Sequence, residues 1–240
     1  MELSKSNKNF LIPTLNNTGY TPAKPDIIQK AFIRFAKHAK NPLLDVGAAF
    51  GITSLLALNN GGYIIANDLD ARHLEAIKQN APLSLVNKLE LVVGRMPQDL
   101  DFKEESLSGI LVARVLHFLT GQEIMESLHK IFKWLTPKGK VFFVATTPFI
   151  KILEPFIPVY NDRKQSGELW PGTLEDVKKY QSMNVEAMPS FVHLLDEDIV
   201  RRIFTEAGFK IKKLNYFAAE CPQEWLYDGR EFIGCIAEKS

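Results

Sequence analysis

The sequence predicts an α/β fold: a doubly wound, mostly parallel seven-stranded sheet with an antiparallel C-terminal hairpin strand and a lid inserted after the fifth strand. Three observations predict it. Short apolar runs alternate with amphipathic helical segments roughly every twenty to thirty residues from about position 40 to 145, the pattern of helices packed on both faces of a parallel sheet. Residues 146–190 then break the alternation with aromatic and proline residues. Finally, the strand-like segments 209–217 and 231–238 have no helix between them, so they pair antiparallel at the sheet edge.

Taken in order, residues 1–24 are polar and turn-rich, with Asn16-Asn17-Thr18-Gly19 and then Pro22, and read as an arm folded over the body. Ile27, Ile28, Ala31, Phe32, Phe35 and Ala36 recur at helical spacing and predict a helix over 25–39. Residues 1–40 are thus an arm and a helix, and 41–240 the main domain, with 146–190 as its insertion. Asn41-Pro42 ends the helix before the first strand, Leu43-Leu44-Asp45-Val46. A glycine-punctuated turn then leads into a buried helix over 52–58, stopped by Asn59-Asn60-Gly61-Gly62. Further strands are expected at 63–67, 89–93, 110–113 and 141–145. Asp70 caps a helix over 71–80. Thr120 and Glu123 form a capping box for a helix whose apolar face is Ile124, Leu128, Ile131, Phe132 and Leu135. Within the insertion, Thr173-Leu174-Glu175-Asp176 predicts a helix to about Gln181, and the rest reads as loops. A connection this long is usually functional, and its aromatic residues argue against disorder, so it is expected to cap a substrate site. Asp196 caps a helix through Ala207, and Gly208 ends it.

Composition narrows the function classes. The 240 residues are 46% hydrophobic and 24% charged, with a formal net charge of +1, so neither nucleic acid nor a membrane surface is expected as a partner on bulk electrostatics. Residues 1–8 carry no apolar core of signal-peptide length, and the most apolar stretch, 141–153, is cut by Thr146, Thr147, Pro148 and Lys151. A cytoplasmic location is the expectation. Cys221 and Cys235 are not spaced as zinc ligands, so reduced, buried thiols and no metal are expected.

The turn after the first strand, Asp45-x-Gly47-x-x-x-Gly51, is the focus of the functional reading. It departs from the Gly-x-Gly-x-x-Gly of dinucleotide-binding sheets, because Ala49 holds the middle place, and it has no Gly-Lys-Thr/Ser for a triphosphate. It suits a ligand that needs close backbone contact and a carboxylate but carries little phosphate charge. Asp68 ends the neighbouring strand, where a carboxylate can accept both hydroxyls of a ribose. Together they point to a nucleoside-type ligand.

At these residues the chain resembles the class I S-adenosylmethionine-dependent methyltransferases, over roughly 40–148 and 192–238. Residues 43–51 resemble the family's first motif, Val115-Leu116-His117-Phe118-Leu119 the stretch after its fourth strand, residues 135–140 its turn into the fifth, and Glu206-Ala207-Gly208-Phe209 its entry into the sixth. The closing antiparallel strand is also that family's topology. The resemblance implies S-adenosyl-L-methionine as cofactor, held by Asp45, Gly47, Ala48, Ala49, Gly51, Asp68, Leu69, Arg95, Met96 and Arg114. Three positions depart from the pattern. The middle glycine of the first motif is Ala49, a change that adds one methyl. Arg95 stands where many relatives place an Asp beside the adenine amine, which leaves Asp99, Asp101 or Met96 for that contact, and Ser108 replaces another expected Asp.

Methyl transfer from a sulfonium is an in-line displacement that depends on alignment and water exclusion, with a base needed only for some acceptors. His117, and His193 at the end of the lid, are the candidate bases. Arg114 can meet an acidic acceptor or a backbone carbonyl. Tyr160 and Trp170 are expected to stack on the acceptor or close on the sulfonium, and Tyr20 to fold across the cofactor. The acceptor expected is a small molecule under an aromatic lid. A protein or peptide side chain is the alternative, and a non-catalytic cofactor-binding protein a third reading.

Overall fold

The computed structural model describes residues 10–183, 189–218, 221 and 223–240. The first nine residues of the expected arm, and 184–188 of the expected lid, lie outside the described residues.

The arm is more ordered than its composition implies. Two three-residue strands, β1 (Leu11–Pro13) and β2 (Tyr20–Pro22), pair antiparallel, with Thr14 N–H donating to Gly19 O at 3.0 Å across the turn. Helix α1 (Ile27–Ala36) starts where Asp26 Oδ1 accepts the N–H groups of Ile28 and Gln29 and the Gln29 side chain returns to the Asp26 N–H. Its face of Ile28, Phe32 and Ala36 is buried. The βα units follow: β3 (Leu43–Val46), α2 (Ile52–Asn59), β4 (Ile64–Asp68), α3 (Ala71–Asn80), β5 (Leu89–Val93), β6 (Leu107–Ala113) and α4 (Gly121–Trp134). Asp70 and Thr120 cap α3 and α4 as their side chains predict. Strand β7 (Leu135–Thr146) is longer than its apolar run, because pairing with β6 begins at Leu135.

The lid departs from expectation. Its helix is α5 (Ile157–Gln165), not the segment 173–181. Pro158 reads as a breaker in the sequence, but it falls in the first turn, where its missing N–H costs nothing. The segment expected to be helical holds only a short strand, β8 (Thr173–Leu174), and one 3-10 turn over Val177–Tyr180 capped by Asp176. Strand β9 (Val192–His193) pairs with β8. Asp196 caps α6 (Glu197–Glu206), and β10 (Phe209–Phe217) and β11 (Phe232–Lys239) close the chain.

The seven-stranded sheet runs β10-β11-β7-β6-β3-β4-β5. Strand β11 lies between β7 and β10 and is antiparallel to both, so the expected hairpin is present, with β10 alone forming the edge. Alternation sorts the core: Leu44, Ile110 and Phe143 pack against α4 and α6, while Leu43, Leu111 and Phe142 pack against α1 and α2. A separate apolar cluster, with Phe149, Leu153, Phe156, Tyr160 and Val177, holds the lid together and reaches Leu11 of the arm and Trp225. Among the described residues no helix is long and apolar enough to cross a membrane.

Gly51, at the start of α2, has φ +71°, and a Cβ there would lie 2.5 Å from Ile77 Cγ1. Gly51→Ala combines left-handed strain with overpacking and is expected to cost about 2–4 kcal/mol of stability, read by urea unfolding.

Candidate active site

The carboxyl ends of β3, β4, β5, β6 and β7 open into one cavity of about 430 Å³, roofed by the hairpin of the arm and by the lid. Its floor is the turn after β3. Gly47, Ala49 and Gly51 all have positive φ, so the chain doubles back within five residues. A Cβ on Gly47 would lie 2.5 Å from Val115 Cγ2, so glycine there lets the loop after β6 sit against the turn. The turn is fastened to β4: Ala48 N–H donates to Asn67 O at 2.8 Å, and Ala49 N–H to Asp68 Oδ2 at 2.9 Å.

Two buried carboxylates back this turn. Asp45 accepts the Ser54 hydroxyl at 2.6 Å. Burial raises its pKa to about 7; the Ser54 bond opposes the shift and the nearby Asp68 adds to it. Asp68 takes three donors: Ala49 N–H on Oδ2, and Asp70 N–H and His73 Nδ1 on Oδ1, at 2.9 and 3.0 Å. A carboxylate has about four acceptor positions, so one is left. The side chain therefore has one free acceptor position, where accepting both hydroxyls of a ribose would need two.

On the next strand, Asn67 Nδ2 donates to Val92 O at 3.0 Å and Gly94 O at 2.9 Å, which brings Gly94, Arg95 and Met96 to the cavity wall. Met96 is buried there; Arg95 is exposed and its N–H donates to Asp99 Oδ2. Asp99 and Asp101 do not line the cavity, and Ser108 sits at the amino end of β6, bonded to Asn41 N–H, away from any adenine position. Leu69 lines the cavity beside Asp68.

Beyond β6, Arg114 adopts φ +60° and its Nη2 lies 2.8 Å from Asp26 Oδ2, with the guanidinium 4.7 Å from the Phe232 ring centre. His117 is half-buried and lines the cavity, and its Nδ1 is buried with no partner among the described residues. Burial, helped by the Arg114 charge, pushes its pKa down to about 3. It is neutral at pH 7 and a weak base in this state. The far end of the cavity is apolar: Tyr20, Ile150, Leu153, Leu194, Trp225 and Phe232.

Four candidates do not line this cavity. Gly51 meets Ile77 instead. Tyr160 is wholly buried in the lid cluster. Trp170 lies over Gly121, where any Cβ would come within 2.2 Å of the indole, with Arg202 stacked 4.8 Å from its ring. His193 is buried, edge-on to Trp170 at 4.7 Å, with Nδ1 3.3 Å from Leu119 O. Burial lowers its pKa to about 4. Trp170 and His193 join the lid to the body, at Gly121 and Leu119 O, while the Tyr160 ring packs inside the lid against Phe149 and Phe156. Conversely, His73, Asp26 and Trp225 were not singled out by the sequence. A His on the buried face of α3, five residues past Asp68, was the available signal for the first. Among the described residues no group of three or more His, Cys, Asp or Glu is placed to hold a metal.

Residues 44–143 match the family model described as a methyltransferase domain. No curated protein matches the chain. Solved structures share its fold. A methyltransferase from Methanosarcina mazei, described as S-adenosylmethionine-dependent, aligns with TM-score 0.63 at 17% identity, over 83% of this chain and 92% of that one. The glycopeptide N-methyltransferase MtfA with S-adenosylhomocysteine aligns with TM-score 0.60 at 15% identity, over 88% and 87%. The 1,6-didemethyltoxoflavin-N1-methyltransferase of Burkholderia thailandensis, with bound 1,6-didemethyltoxoflavin and S-adenosylhomocysteine, gives TM-score 0.60 at 15% identity, over 89% and 79%.

Asp45 sets a pH dependence. Its folded pKa, about 7, exceeds the ordinary 3.8, so the folded chain holds the extra proton between these values. Its contribution to stability is full below the unfolded pKa and is lost as pH rises through the folded one. Asp45→Asn keeps an acceptor for Ser54 and removes the titration. Urea unfolding of ligand-free protein at about pH 5 and about pH 8 should show wild type losing roughly 1–4 kcal/mol relative to the variant.

Proposed function

We propose that this chain, which carries a class I S-adenosylmethionine-dependent methyltransferase domain over residues 44–143, transfers the methyl group by in-line displacement to an uncharged small molecule held at the apolar end of the cavity. When bound, S-adenosylmethionine supplies a methyl already activated on a sulfonium. The observation that carries the reading is the continuity of one cavity from Asp68 to the apolar end.

Asp68 accepts a ribose hydroxyl at its remaining acceptor position. The turn Gly47-Ala48-Ala49 presents backbone to the methionine part, with Asp45 behind it. Met96 packs on the adenine, and Arg95, its side chain exposed and its N–H and C=O both bonded to Asp99, lines the wall beside it. Tyr20 and Trp225, edge to face at 6.1 Å, wall the acceptor end. Among the described residues lining that end, Arg114 carries the one full charge, and Asp26 pairs with it. An uncharged acceptor therefore meets no unpaired ion there, while a charged one would leave water without a counter-charge. The work of the chain is alignment and exclusion of water. His117, neutral, offers a hydrogen bond more readily than it removes a proton. His193, Tyr160 and Trp170 support the lid that closes the cavity.

Two measurements test this. Asp68→Ala should weaken S-adenosylhomocysteine binding at least about tenfold, or about 1.4 kcal/mol, by calorimetric titration. An affinity unchanged from wild type removes the ribose assignment. With S-adenosylhomocysteine saturating, 2-naphthol should bind about tenfold more tightly than 2-naphthoate or a naphthylmethylammonium ion, and Trp225→Ala should lose most of that binding. Preference for either ion, or methylation of peptides in preference to small acceptors, would overturn the acceptor reading.

A further inference from the structure

His73 is buried on α3 with its ring 5.1 Å from Phe50, and it joins two parts of the chain far apart in sequence. Leu15 N–H, in the turn between β1 and β2, donates to His73 Nε2 at 3.0 Å. A backbone N–H can only donate, so Nε2 is unprotonated and the proton sits on Nδ1. Nδ1–H is the atom 3.0 Å from Asp68 Oδ1. The neighbouring Arg72 Nη2 donates to Leu15 O at 2.7 Å. Both main-chain polar groups of Leu15 are thus held by consecutive residues of α3. The turn they hold carries Thr14, Asn16, Thr18 and Gly19, all of which line the cavity.

We propose that His73 is a positioning residue that couples docking of the N-terminal hairpin to the orientation of the Asp68 carboxylate, so that the hairpin closes over the ribose end of the cavity and hairpin docking and cofactor binding strengthen each other. The proposal rests on Asp68 as the ribose ligand. The imidazole is a rigid spacer between a main-chain donor and a carboxylate, and its single tautomer serves both bonds at once. Removing it frees the turn and takes one of the two donors from Oδ1, leaving the Asp70 N–H alone there, which loosens the direction in which the carboxylate is held for the ribose. Coupling of this kind is reciprocal: what docks the hairpin also tightens the cofactor.

The test combines calorimetric titration of S-adenosylhomocysteine with hydrogen exchange at the Leu15 amide. In wild type, saturating S-adenosylhomocysteine should slow that exchange at least about fivefold. His73→Ala should bind S-adenosylhomocysteine about tenfold more weakly and show no slowing. His73→Asn retains a donor where Nδ1 lies but has no atom at Nε2, so it should lose only about threefold in affinity, again with no slowing. That split between the two variants is not expected of a residue that only fills space. Affinity of His73→Ala within about twofold of wild type, or ligand-dependent slowing at Leu15 that survives in His73→Asn, overturns the coupling. Asp68→Ala separates the two assignments. If it leaves binding intact, the ribose role fails and the coupling falls with it; if it abolishes binding while His73→Ala does not weaken it, the coupling alone fails.

Discussion

The site depends on one buried carboxylate. Asp68 gathers the Ala49 N–H from the turn after β3, the Asp70 N–H at the entrance to α3, and the His73 imidazole from α3 itself. Each is a charge-assisted hydrogen bond shielded from water, the kind worth roughly 1.5–3 kcal/mol. The sheet makes this convergence possible. Strands β3 and β4 run parallel with Val46 beside Asn67, so the turn that leaves β3 and the tip that ends β4 arrive side by side. The floor of the cavity is therefore not a free loop. Its left-handed residues are held by donors aimed at a fixed acceptor, and the acceptor is held by them in return.

What the sequence discloses follows from the range of the forces involved. The βα alternation, the capping box at Thr120 and the caps at Asp70 and Asp196 are local signals, and the elements they mark stand close to where those residues predict. Order among strands is not local: nothing within residues 209–238 says that β11 lies inside the edge strand and not outside it. The helix over Ile157–Gln165 was hidden because Pro158 reads as a breaker unless the first turn is known to begin there. The hairpin of the arm was hidden because three-residue strands are too short to show a period. Within the site, Asp68 stood out because it ends the strand beside the glycine turn that follows Asp45, and the two together suit a nucleoside where either alone is a common turn or helix start. Trp170, Tyr160 and His193 stood out by residue type alone, and residue type does not say which way a ring faces. The same aromatic bodies that would close on a ligand also pack a lid and fasten it to its base, and here Tyr160 does the first while Trp170 and His193 do the second.

The other end of the cavity shows the complementary constraint, the disposal of charge. Asp26 uses one oxygen to cap α1 and the other to meet Arg114, so a single carboxylate starts the helix and neutralises the guanidinium at the tip of β6. The guanidinium also lies over the Phe232 ring, which covers one of its faces. An arginine left unpaired in so apolar a cavity would be costly and would draw an anion into the acceptor end. Paired, it does neither, and burial, with the residual positive field of the guanidinium second, disfavours the imidazolium form of His117. A wall of this kind offers hydrogen bonds without offering a strong base. A donor whose methyl is already activated needs no more from the protein than that, provided that the acceptor's lone pair is free and water is kept out. Under the proposed reading, Asp68 and its three donors set where the methyl lies, and the charge-balanced wall from Asp26 to Phe232 sets what can lie opposite it.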